Sequence, residues 1–238
     1  MLGALYHFSK NINRFKNDGT TWAQIKYFNR WRESLKKDSS SIKDQQPWIT
    51  FQAIDFLKTH LNKQSKVFEF GGGGSTLFFL NQAKETITVE HDQQWYGTLS
   101  SIIAEKKLHG WTGKHIKPEP KPFVEVPDPS NPHHYSSNDK HSLRSNFYYY
   151  ASAIDKYPVH YFDVVLVDGR SRPSCLLHSI PKLKINGYLI LDNSDRHYYL
   201  KNLETSIKNN FAVIVDGYCP TPYSLEFTKS TIWKKISE

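Results

Sequence analysis

Val67-Phe68-Glu69-Phe70-Gly71-Gly72-Gly73-Gly74-Ser75-Thr76 decides how the rest of the chain reads. An apolar run carrying one acidic residue gives way to four glycines, then to a Ser-Thr pair and another apolar segment. That order predicts a buried strand, a tight turn and the start of a helix. Glycines remove the side chains that would hold a ligand away from the backbone of the turn. The first N–H groups of the following helix are expected to face that ligand. Thr86-Ile87-Thr88-Val89-Glu90 repeats the strand pattern and ends in a carboxylate 19 residues after Gly71. A carboxylate at the tip of a second strand suits the two hydroxyls of a ribose. Glu69, Gly71, Gly72, Gly73, Ser75, Glu90 and the adjoining His91 are therefore the candidates for binding a nucleoside-containing cofactor.

The glycine spacing discriminates between cofactors. A dinucleotide fingerprint, G-x-G-x-x-G, would need a glycine where this chain has Thr76. Glu69-x-Gly71-x-Gly73-x-Ser75 instead resembles the first motif of the class I S-adenosylmethionine (SAM) methyltransferases, E-x-G-x-G-x-G, with serine at the last glycine. Serine there is a mild change, because it can cap a helix. An NAD oxidoreductase is correspondingly the weakest alternative.

From Val67 onward strand-like and helical patterns alternate. Strands are expected near 66–70, 86–90, 114–117, 161–167, 187–191, 211–216 and 225–233, and helices at 75–83, 93–108, 144–156, 173–183 and 197–209. Such alternation implies an α/β, doubly wound sheet. Only Gly217-Tyr218-Cys219-Pro220-Thr221-Pro222 separates the last two strands, which suits an antiparallel hairpin. Seven strands, six parallel and one antiparallel, again resemble the class I methyltransferase fold, now over residues 47–238. The resemblance implies the strand order 3-2-1-4-5-7-6. Residues 1–46 read as an N-terminal helical extension, with stripes at Leu5, Phe8, Ile12, Phe15 and at Trp22, Ile25, Phe28, Trp31, Leu35 that suit docking on the main domain. Residues 118–146 carry six prolines, which deny helix and central strand. This insertion reads as a substrate-side lid.

Ligands in such sheets gather at the carboxyl ends of strands. The fourth strand delivers Asp168, followed by Arg170 and Arg172; the fifth delivers Asp192 and Asn193. This resembles the metal-dependent O-methyltransferases and the macrocin O-methyltransferase-like group. The resemblance implies a divalent ion, Mg²⁺ by the hardness of its ligands, held by Asp168, Asp192 and Asn193. Catechol-type members carry lysine three residues after the first Asp, where this chain has Ser171. That leaves Asp168, Asp192 and His197 as candidate catalytic groups, with His178 a further base by residue type. Asp168 also borders the cofactor. Arg170, Arg172 and Tyr148 are candidate acceptor contacts, since arginine suits an anionic group and an aromatic face suits a sugar or planar ring.

The leading function is thus SAM-dependent methylation of a small-molecule or glycan hydroxyl. An RNA methyltransferase is the second reading, drawn from the net charge of +8, although the lysines are dispersed and no N-P-P-Y-type motif follows the fourth strand. A non-catalytic SAM-binding protein is the third. No apolar run approaches the ~20 residues that span a bilayer. The first residues lack a signal-peptide pattern, and Cys175 and Cys219 form no disulfide framework, so a cytoplasmic location is expected.

Overall fold

A computed structural model describes residues 2–121 and 127–237. Pro122, one of the six prolines in the expected lid, lies outside the described residues.

The sheet is built from β1 (Lys66–Phe70), β2 (Glu85–Glu90), β3 (Trp111–His115), β6 (Phe162–Val167), β7 (Leu183–Asp192), β8 (Phe211–Val215) and β10 (Thr228–Lys235), with the two-residue β9 (Tyr218–Cys219) paired to β10. The short β4 (Glu119–Pro120) and β5 (Ser145–Asn146) pair separately. The main order is β3-β2-β1-β6-β7-β10-β8. Counted along the seven long strands, that is 3-2-1-4-5-7-6. β10 runs antiparallel to both neighbours, and the remaining pairs are parallel. The reversal from β1 to β6 opens the crevice in which doubly wound sheets bind ligands.

Pleating alternates side chains between the two faces. Val67, Val164, Leu166, Ile190 and Ile232 enter one core; Phe68, Val165, Leu189, Leu191 and Trp233 enter the other. The first core is covered by α1 (Leu2–Arg14), α2 (Phe28–Ser34) and α3 (Phe51–His60). α4 (Gly74–Leu80) and α5 (Gln93–Glu105) flank β2, while α6 (Tyr148–Ala151), α7 (Arg172–Ser179) and α8 (Glu204–Asn210) cover the second core.

The N-terminal stripes are partly confirmed. Phe8, Ile12, Phe15 and Trp31 are buried, each side chain contributing about 1.5–3 kcal/mol. Leu5, Trp22 and Ile25 remain exposed. Asn11 binds the far end of the chain, donating to the Leu225 carbonyl at 2.9 Å and accepting from the Phe227 N–H at 3.0 Å. The Trp31 indole donates to the Ser224 carbonyl at 2.8 Å. The extension therefore shares the core of the sheet rather than packing separately.

Several boundaries differ from the sequence-based expectation, among them β7, which begins at Leu183, and β10, which begins at Thr228. The third strand begins at Trp111, because Gly110 turns the chain at φ +84° immediately before it. The expected helix at 144–156 is the single turn of α6 followed by a 3-10 turn, Ser152–Lys156. The expected helix at 197–209 divides into a 3-10 turn, His197–Tyr199, and α8.

Candidate active site

The four glycines turn the chain above the carboxyl edge of β1. Gly71 has φ +91°, and an added Cβ would lie 3.0 Å from the Gly169 Cα and 3.1 Å from the Asp168 carbonyl oxygen. Both the backbone twist and the approach of the loop after β6 therefore require glycine. At Gly74 the constraint comes from another segment, since a Cβ would overlap the Ser41 and Gln46 carbonyls. Residues 41–46 thus press directly on the start of α4.

The N–H groups of the first three glycines are bonded within the protein. Gly71 donates to Val89 O at 2.9 Å, Gly72 to Glu90 Oε2 at 3.0 Å and Gly73 to Thr76 Oγ1 at 3.0 Å. Gly74 and Ser75, which open α4, line the cleft beside them.

Glu90 braces that turn. Its Oε1 accepts from the His91 and Asp92 N–H groups at 2.7 and 2.8 Å, and His91 Nδ1 lies 2.8 Å from the same oxygen. Burial alone would raise the Glu90 carboxyl, but the contacts from His91, Asp92 and Gly72 outweigh it and hold the group below its ordinary value. Glu90 is therefore an anion at the wall of the cleft, still able to accept from hydroxyls.

Glu69 has a different position from the one expected. It is fully buried beneath the turn, accepting from Ser75 Oγ and Thr88 Oγ1, each at 2.7 Å. It does not line the cleft, so its role is to tie β1 to α4 and β2. Burial pushes its carboxyl up to about 7 from 4.5. The native state then holds a proton that the unfolded chain has released, so stability falls as pH rises from about 4.5 through about 7. The loss approaches ~3 kcal/mol, because each tenfold gain in proton affinity is worth about 1.4 kcal/mol. Melting curves from pH 5 to 8 should show this decline in the wild type and a flatter profile in Glu69→Gln. Parallel profiles for the two proteins would remove Glu69 as the cause.

The cleft has a volume of about 630 Å³ and reaches from the glycine turn to the ends of β6 and β7. Glu90, His91, Asp168, Arg170, Asp192 and Asn193 line it. Among the contributors not singled out from sequence are Trp95, Ser41 and Trp48. Trp95, in the first turn of α5, donates its indole N–H to the Gly72 carbonyl at 2.6 Å. Its sequence signal is Asp92, whose side chain caps the helix by accepting from the Trp95 N–H at 2.8 Å. Ser41 and Trp48 reach the cleft from the N-terminal side. No local pattern marks them, because their approach depends on how residues 1–50 pack.

Asp168 and Asp192 meet as expected, but Arg172 lies between them. Its guanidinium donates to Asp168 Oδ1 at 3.0 Å, to the Gly169 carbonyl at 3.1 Å and to the Asp192 carbonyl, with Asp192 Oδ2 at 3.9 Å. Asp192 Oδ1 also accepts from Ser230 Oγ at 2.7 Å. Burial and the adjacent Asp192 carboxyl raise Asp168 well above its ordinary value, with Arg172 opposing the rise; burial also raises Asp192. Two neighbouring carboxyls of this kind titrate as a pair, so the rise belongs to both together.

This corrects two expectations. The donor set does not fit a divalent metal. The two carboxylates a metal would need already flank the buried Arg172 guanidinium, and a second cation beside it would be repelled. Among the described residues no cluster of three His, Cys, Asp or Glu side chains suits a metal. Exhaustive chelation should accordingly leave the melting temperature unchanged; a drop reversed by Mg²⁺ would contradict the arginine-centred arrangement. Arg172 is not the acceptor contact expected of it, since its side chain is 8% exposed and serves the two aspartates.

Two further candidates lie elsewhere. His197 is exposed and lines neither this cleft nor the neighbouring cavity that holds Arg196. Tyr148 packs on Tyr135 and Tyr149 outside both cavities. Tyr150 instead reaches the site from below and packs against Phe70 and His91. His178 is held by Asp155 at 2.8 Å and by the Tyr135 hydroxyl at 3.3 Å, away from the cleft.

The fold has solved counterparts. A Clostridium thermocellum protein described as an rRNA methylase superposes with a TM-score of 0.52 at 14% identity, covering 79% of this chain and 95% of that one. A Streptococcus mutans protein described as a methyltransferase, solved with S-adenosylhomocysteine (SAH), gives 0.51 at 14% identity, covering 76% and 94%. A methyltransferase-like protein from Silicibacter pomeroyi gives 0.50 at 20% identity, covering 77% and 84%. No family model matches the chain, and no curated protein matches it in sequence. The architecture is thus the Rossmann-like fold of class I methyltransferases.

Proposed function

We propose that the protein is a SAM-dependent methyltransferase acting on an acceptor hydroxyl. The observation that carries the reading is the glycine-lined cleft beside the ionised Glu90. A carboxylate at that place suits the hydroxyls of a nucleoside ribose. Bound SAM supplies an activated methyl group on a sulfonium. Glu90 would accept from the ribose hydroxyls, while the backbone of Gly71–Gly73 and the Trp95 ring would shape the groove. His91 and Asn193 would border the bound molecule.

The acceptor would approach across Gly169 and Arg170. Its hydroxyl loses a proton as oxygen bonds to carbon, and the Asp168–Asp192 pair is the group in the cleft suited to receive it. A carboxyl whose affinity for a proton is raised by burial is a stronger base, once ionised, than an exposed one. In the ionised form the pair would take the proton on Asp168, while Arg172 compensates the charge that remains. The chain's other tasks are alignment and exclusion of water.

Calorimetry with SAM and SAH, followed by transfer of labelled methyl groups to an acceptor panel, tests the proposal. Asp168→Asn should lower kcat by about 10²–10⁴-fold, the usual worth of a positioned base. SAM affinity should stay within a few-fold of wild type. Unchanged turnover would remove Asp168 as the base, and binding of NADH in place of SAM would overturn the cofactor assignment. RNA methylation is a second reading, favoured by the net charge of +8 and by the rRNA methylase among proteins of this fold. Salt-sensitive RNA binding and methyl transfer to RNA would support it.

A further inference from the structure

A second cavity, of about 640 Å³, lies across Gly169 and Arg170 from the cofactor cleft; both residues line both spaces. Its walls come from three segments distant in sequence. Residues 136–141 of the proline-rich insertion form one side, the loop after β6 forms the floor, and Arg196, Tyr198 and Tyr199 after β7 close the other side. We propose that this cavity is the acceptor site and that it takes a small molecule bearing a phosphate group. The proposal deepens the methyltransferase reading above and rests on it for the position of the methyl donor.

Charge and hydrogen-bonding capacity point the same way. Lys140, Arg170, Arg172 and Arg196 line the cavity, with Asp139 as the carboxylate among its lining residues. Arg172 is committed to Asp168 and Asp192. Arg170 touches Asp139 only at 3.6 Å, and its Nε–H is buried without a hydrogen-bond partner. A buried donor without an acceptor is costly, and a ligand oxygen would relieve that cost. Arg196 donates to the Tyr199 hydroxyl at 2.9 Å, which fixes its guanidinium while leaving other N–H groups free to donate. Among the described residues neither Lys140 nor Arg196 has a carboxylate within ion-pair distance.

The cations reach the cavity from three directions: Lys140 from the insertion, Arg170 after β6 and Arg196 after β7. A planar carboxylate is satisfied by a single guanidinium fork. A tetrahedral phosphate presents oxygens to several donors at once. Tyr198 and Tyr199 add aromatic surface for the body of the ligand. The volume falls in the usual range for small-ligand sites. Convergence of the cations on one cavity favours a small molecule over a nucleic-acid strand, which needs a basic groove running along the surface.

The test uses the full chain saturated with SAH and matched pairs of probes. Glucose 6-phosphate is titrated against glucose, and adenosine monophosphate against adenosine; a twelve-nucleotide single-stranded RNA forms a third arm. At least one phosphorylated probe should bind, and at least tenfold more tightly than its neutral partner. The double variant Lys140→Glu/Arg196→Glu should weaken that binding by at least tenfold while its melting temperature and SAH affinity stay at wild-type values. Equal affinity within each pair, no binding of either phosphorylated probe, or an unaffected double variant would overturn the proposal. So would RNA binding with a steep salt dependence when both small phosphates fail. Failure of SAH itself to bind sinks the methyltransferase reading separately, and the ratio within each pair still judges the phosphate site.

Discussion

Gly73→Val is expected to abolish SAM and SAH binding without unfolding the protein. Gly73 has extended backbone, φ 171°, which any residue adopts. A Cβ there would meet only the Trp95 ring, at an ordinary 3.8 Å. Its three companions in the turn differ. A Cβ at Gly71, Gly72 or Gly74 would press on backbone or on packed side chains. Valine at position 73 therefore spends its bulk on the groove rather than on the fold. Calorimetry should detect no SAM binding at concentrations a hundredfold above the wild-type Kd, while the apo melting temperature shifts by no more than a few degrees. At that excess the wild type gains about 2.7 kcal/mol from the ligand, and the variant should gain none. Wild-type SAM affinity in Gly73→Val would show that the groove is not the cofactor site.

The second large effect is expected at Arg172. Arg172→Ala leaves two adjacent carboxyls beneath the cleft without their cation. Breaking a buried pair in this way costs about 3–5 kcal/mol. For a chain of this size that corresponds to a fall of roughly 10 °C in melting temperature. The loss should depend on pH. Without the arginine, the native carboxyl pair holds its proton still more tightly than the unfolded chain does. A group with a raised native pKa contributes stability at low pH and loses it as pH rises through that value. The variant should therefore lie nearer the wild type at pH 5.5 than at pH 8. A cost below 1 kcal/mol at both pH values, measured by denaturant titration, would mean that Arg172 does not anchor this pair.

Much of the fold was legible because its signals are local. Val67–Phe70, the glycines and Thr86–Glu90 each carry strand or turn chemistry within a few residues. The same locality located Asp168 and Asp192 at neighbouring strand ends. What sequence misjudged were contacts set by packing. Glu69 looked like a cofactor ligand, because its position in the motif does not reveal that Ser75 and Thr88 enclose it. Arg172 looked free, because its partners include a residue 20 positions away on the next strand. An arginine four residues after Asp168, at the start of α7, was a usable clue to internal compensation of the pair. His197 and Tyr148 were chosen by residue type, and the turns that carry them direct them away from the cleft. Arg196, next to His197, lines the second cavity instead, while Tyr150 is buried beneath the loop after β6.

The contact of residues 41–46 with the first turn of α4 carries one more consequence. The leading helices, through Phe8, Trp31 and Asn11, are fastened to the far end of the chain, and through Ser41 and Trp48 they complete the cleft. Occupancy of the cleft and attachment of the first fifty residues are consequently two sides of one thermodynamic cycle. A ligand that touches Ser41 or Trp48 holds the extension in place by the same free energy with which the docked extension improves the ligand's affinity. Loosening either end of that cycle, by a change as remote as Asn11, lowers affinity at a groove far along the chain.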